Sequence, residues 1–138
     1  MNFSRLVTPL LATTFVLLTP PAIIARNDIR TVGVQFARST NSAVIEDSIT
    51  GYEVIDYVLR AREGQSMNVS MATDNTSNYF NILAPHEDAI AIFNSSMSDN
   101  QYEVILPESG EYKIRVYMMR SAARRNEKAS YRLEMIID

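Results

Sequence analysis

The sequence predicts an all-β protein: a single antiparallel β-sandwich of about eight strands, placed after an N-terminal signal peptide. Three observations carry this reading. Apolar residues recur at every second position in short runs, the period of a strand with one buried face. The runs follow one another at intervals of about 10 to 15 residues, punctuated by Gly, Pro, Asn, Asp and Ser. No stretch carries the apolar stripe of an amphipathic helix.

The first 25 residues are unlike the rest. Arg5 is a minimal positive start, and Leu6 to Leu18 is apolar apart from Thr8, Pro9, Thr13 and Thr14. Pro20 and Pro21 then break the segment, and Ala25 is a small residue suited to the position before a cleavage point. Residues 1–25 are therefore expected to be a secretory signal peptide and residues 26–138 a β-sandwich domain. Thirteen apolar-segment residues with a proline inside fall short of the roughly 18 to 20 that a membrane span needs. No stable membrane insertion is expected after cleavage. The remaining 113 residues suffice for one hydrophobic core.

In the domain, Thr31 to Ala37 alternates through Val32, Val34 and Phe36. Ala43, Ile45 and Ile49 mark a second strand, and Gly51 punctuates. Tyr52 to Arg62 has apolar residues on both parities, which predicts a strand covered on both faces or a bulge. Met67, Val69 and Met71 alternate with Ser66, Asn68 and Ser70. Strands are expected next at Tyr79 to Ala84, at Ala89 to Phe93, and through Tyr102, Val104 and Leu106. The turn residues Pro107, Ser109 and Gly110 lead into Tyr112, Ile114, Val116 and Met118. Ser121 to Ala129 permits one short helical turn, and Tyr131, Leu133, Met135 and Ile137 close the chain. This last strand is expected to pair with its predecessor across the intervening loop.

Charge is unevenly distributed. Residues 26–111 hold 5 basic and 13 acidic residues (5 − 13 = −8), while residues 112–138 hold 7 basic and 3 acidic (7 − 3 = +4). The net acidity argues against nonspecific nucleic-acid binding, which depends on neutralising phosphates. The cationic end is thus a local feature, with Arg120, Arg124 and Arg125 inside six positions. No cysteine is present, which excludes a disulfide, lipoprotein attachment and a thiolate metal site. For an exported domain of this size that absence points to a bacterial periplasm, where the sequons at Asn68, Asn75 and Asn94 carry no sugar.

Catalytic and cofactor chemistry finds little purchase. His86 is the sole histidine and has no nucleophile motif beside it, and zinc would need further His or Cys ligands. Asp74, Glu87, Asp88 and Asp99 are scattered in loops without a calcium-loop pattern. The four glycines, Gly33, Gly51, Gly64 and Gly110, make no phosphate-cradling loop. Neither enzymatic activity nor a cofactor is expected.

Gly51-Tyr52, the Ala61-to-Gln65 step AREGQ, LPESGEYKIRV and MRSAARRNEKASYRLEM together resemble the periplasmic inhibitors of g-type (goose-type) lysozyme. The likeness is densest from Leu106 to Tyr131, where Ser109, Gly110 and Tyr112 stand at a set distance from Arg120 and Arg124. It implies a non-enzymatic protein whose partner is g-type lysozyme, whose cleft it occupies to protect the cell wall. It also implies a contact set of Tyr52, Ser109, Tyr112, Arg120 and Arg124. The parity of Tyr112 also suits the core, Ser109 and Gly110 also suit a turn, and Arg124 and Arg125 could pair with Glu127. The alternative class is a secreted β-sandwich module, of the kind beside secreted peptidases, that binds a glycan or protein surface.

Overall fold

The computed structural model describes residues 29–138, and the expected signal peptide at residues 1–25 lies outside them. Among the described residues nine strands form two sheets. In chain order they are β1 (Ile29–Gly33), β2 (Ser42–Thr50), β3 (Val54–Ala61), β4 (Ser66–Thr73), β5 (Asn78–Leu83), β6 (Ala91–Asn94), β7 (Gln101–Ile105), β8 (Gly110–Met118) and β9 (Lys128–Ile137). One five-residue helix, α1 (Arg120–Arg124), separates β8 from β9. The first sheet runs β1-β3-β8-β5-β6 and the second β2-β9-β4-β7. The described pairs are antiparallel except β1, which lies parallel to β3 at an edge.

The alternation read in the sequence is the alternation of burial. Tyr112, Ile114, Val116 and Met118 of β8 point inward against Tyr131, Leu133, Met135 and Ile137 of β9. Each large apolar side chain so removed from water contributes roughly 1.5–3 kcal/mol. At one lateral edge Phe93 stacks on Tyr102, with centroids 4.0 Å apart, joining the outermost strands of the two sheets. At the other, Arg30 of β1 bonds Asp47 of β2 at 2.7 Å. Beneath that pair the hydroxyls of Tyr57 and Tyr131 lie 2.6 Å apart, so each buried phenol has a partner.

One expectation is corrected. β9 does not pair with β8: the two are central strands of opposite sheets, so the connection between them crosses the end of the sandwich. The reason is that both carry one buried face toward the same core, which facing sheets satisfy and a hairpin in one sheet does not require. The mixed parity of β3 reflects covering on both faces rather than a bulge, because its register with β8 is continuous. Ile55, Tyr57 and Leu59 face the core, while Asp56 on the outer face is buried beside Arg115.

Candidate functional site

Four connections cross from one sheet to the other at the same end of the sandwich. These are the β2–β3 turn, the β4–β5 loop, the β6–β7 connection and the segment carrying α1. Facing sheets lie ~10 Å apart, and a five-residue helix rising ~1.5 Å per residue covers most of that gap. Ala122 and Ala123 are buried, so α1 sits directly on the core and turns its arginines outward. The β4–β5 loop fastens α1's exit: Asn75 Nδ2 donates to Glu127 Oε1 (3.1 Å) and to the Lys128 carbonyl (3.2 Å). The Asn75 amide and then the Arg125 guanidinium hold the Glu127 carboxyl below its ordinary pKa. Met119 N–H donates to the Ser77 carbonyl at 2.9 Å, fixing the helix entry.

The β2–β3 turn is pinned to the same cap. Gly51 N–H donates to the Glu127 carbonyl at 2.9 Å, and Gly51 has φ of +60°. A Cβ there would stand 2.7 Å from Asn126 Oδ1. Glycine suits this left-handed backbone, and a side chain there would have to displace the Asn126 amide. The pinned turn presents Tyr52, half exposed, next to the start of α1. The result is a concavity of about 380 Å³ lined by Tyr52, Val54, Arg115, Tyr117, Met119 and Arg120, among others.

Of the five residues expected at the contact, the structure brings Tyr52 and Arg120 together here. Arg124 is exposed on the same helix, one turn on, but does not line the concavity. Among the described residues neither Arg120 nor Arg124 enters an ion pair, whereas Arg125 bonds Glu127 at 2.7 Å. Ser109 and Tyr112 are elsewhere. They belong to the start of β8, and eight strand steps at ~3.3 Å put that end about 26 Å from Met118.

The five residues expected at the contact thus lie at two ends of the sandwich. Ser109 Oγ accepts the Glu63 backbone N–H at 2.9 Å, tying the β7–β8 turn to the β3–β4 turn. Tyr112 is wholly buried, and its hydroxyl donates to the Glu108 carbonyl at 2.6 Å. This places Tyr112 in the core, where it braces the turn that bears Ser109. His86 is exposed in the β5–β6 loop, Asp88 pairs with Lys113, and Asp74 Oδ1 accepts Ser130 N–H.

Sequence reading passed over Arg115, Tyr117 and Asn81. The signal was present, since the alternation that sends Ile114 and Val116 inward sends Arg115 and Tyr117 outward. Tyr117 OH lies 3.3 Å from both Asn81 Oδ1 and Asn94 Oδ1, which anchors its ring on the outer face of the sheet. The arrangement offers cationic hydrogen-bond donors and rigid aromatic surface around a shallow recess. That combination suits a protein surface rich in carboxylates and carbonyls.

No family model matches the chain. Solved structures do. A periplasmic inhibitor of g-type lysozyme from Aeromonas hydrophila, PliG, is 41% identical, with 80% of this chain and 97% of that one covered and a TM-score of 0.75. Its counterpart from Salmonella Typhimurium is 31% identical, with 79% and 98% covered and a TM-score of 0.62. Among curated proteins, an inhibitor of g-type lysozyme from Escherichia coli (strain K12) is 29% identical over 110 residues, 78% of this chain and 81% of that protein.

Proposed function

The chain belongs to the family of periplasmic inhibitors of g-type lysozyme, and from that premise we propose that it blocks this enzyme with the α1 end of its sandwich. Its partner is g-type lysozyme, its action is inhibition rather than catalysis, and its place is the periplasm. There it protects the cell wall, and residues 1–25 serve as the export signal that is cleaved.

One observation carries the choice of surface. Two separate crossovers deliver Tyr52 and Arg120 to one recess, and interactions inside the protein hold both crossovers in place. A muramidase cleft presents a catalytic carboxylic acid and many groups that hydrogen-bond sugars. Arg120 meets the acid, because guanidinium is planar, always charged and able to give two parallel hydrogen bonds. Tyr52 packs on the cleft wall with a large surface and little rotamer freedom to lose. Arg124 supports from the next turn of α1. Ser109 and Tyr112 act on the fold of the far end rather than on the enzyme.

The test is titration of the exported protein into g-type, c-type and i-type lysozymes degrading cell walls. Selective inhibition of the g-type enzyme is expected. Equal inhibition of all three classes would refute the specificity, and inhibition of none would refute the function.

A further inference from the structure

The recess holds a second arginine of a different kind. Arg115 stands directly across from Asp56 on the outer face of the first sheet. Its Nε donates to Asp56 Oδ1 at 2.7 Å and its Nη2 to Asp56 Oδ2 at 2.9 Å. Its Nη1 donates to the Asp88 carbonyl at 3.1 Å, and Lys113 ties the Asp88 side chain down as well. Asp56 is only 4% exposed, the one buried carboxylate among the described residues. A guanidinium has five N–H groups, and these contacts use three.

We infer that Arg115 is a preset hydrogen-bond donor to a carbonyl oxygen of the lysozyme, and that Asp56 is its positioning residue. This rests on the reading that the recess receives the enzyme. The argument is one of geometry and charge. An arginine held at three points loses little freedom when a partner arrives, so the N–H groups left over are offered in a fixed direction. Its charge is already compensated by Asp56, so it favours a neutral acceptor, whereas the unpaired Arg120 favours a carboxylate. The two arginines thus divide the work. Arg120 supplies charge and Arg115 supplies register.

The test compares wild type, Arg115→Gln, Asp56→Asn and the double variant as inhibitors of a g-type lysozyme at low and high salt, with melting temperatures in parallel. Arg115→Gln is expected to weaken inhibition about tenfold to a hundredfold, and the double variant, whose net charge equals that of wild type, to weaken it as much with the salt dependence of wild type. Arg120→Ala, by contrast, is expected to flatten the salt dependence. Asp56→Asn is expected to weaken inhibition in the wild-type background and to add nothing in the Arg115→Gln background. If Asp56→Asn alone does not fold, the double variant, which replaces the ion pair by two amides, carries the comparison and is expected to match Arg115→Gln.

Wild-type inhibition with Arg115→Gln unchanged would overturn this inference alone. So would independent, additive losses from Asp56 and Arg115. Absence of inhibition by the wild type would overturn the underlying reading and this inference with it.

Discussion

At the scale of the residue, the distinction that matters is between side chains that face the partner and side chains that hold the fold. Arg120 is exposed at the rim of a recess, and Tyr112 is sealed in the core with its hydroxyl satisfied. Ser109 Oγ accepts one backbone N–H, so Ser109→Ala is expected to lower stability by about 1 kcal/mol, read by denaturant unfolding. The buried phenols of Tyr57 and Tyr131 give a pH dependence. Burial raises both pKa values above the ordinary tyrosine value, and for Tyr131 the Tyr57 hydroxyl raises it further. A group whose pKa is higher in the folded state contributes its full stability below the unfolded value, near 10, and loses it as pH rises from there. Melting temperature is therefore expected to fall above about pH 10, and Tyr131→Phe to make that fall shallower. Tyr112 shows how far one position can be read: its parity named the core, while only the hydroxyl's partner revealed why tyrosine is used there.

At the scale of the element, the site depends on how α1 and the β2–β3 turn are held against each other. Gly51→Ala forces a side chain into a left-handed backbone and against Asn126. It is expected to cost about 1–3 kcal/mol in unfolding measurements and to weaken inhibition as well, because the turn that carries Tyr52 must shift. The strands themselves were legible, since alternation reports burial directly. The short helix was also legible at Ser121 to Ala129, where alanines permit it, although it begins at Arg120. What the pattern could not show was which sheet each strand joins. β8 and β9 have the same inward parity whether they pair side by side or face each other, and only packing distinguishes the two. The parallel edge pairing of β1 was hidden for the same reason.

At the scale of the whole molecule, the sandwich is a rigid mount that separates two ends with different duties. One end collects four sheet-to-sheet crossovers and the ion-pair-free Arg120 and Arg124, and the other collects the Ser109 turn locked to Glu63, with Arg60 and Arg62 beside it. Charge follows this division only in part, because Arg115 and Lys113 lie along the outer face and are matched by Asp56 and Asp88. The +4 balance of residues 112–138 thus overstates the free positive charge and points correctly only to α1. The core beneath should behave as one cooperative unit. Ile114→Ala, in the central strand of the first sheet, is expected to cost about 2–5 kcal/mol, seen as a lower denaturant midpoint.

The claim on which all of this turns is that the α1 end, and not the Ser109 end, enters the lysozyme. The most direct measurement is the dissociation constant of Arg120→Ala and of Ser109→Ala for one g-type lysozyme, taken side by side with wild type. Losing a central arginine is expected to cost about 2–4 kcal/mol, or roughly 30- to 1,000-fold in affinity, while Ser109→Ala stays within about threefold. A large loss from Ser109→Ala with Arg120→Ala binding like wild type would place the contact at the opposite end of the molecule.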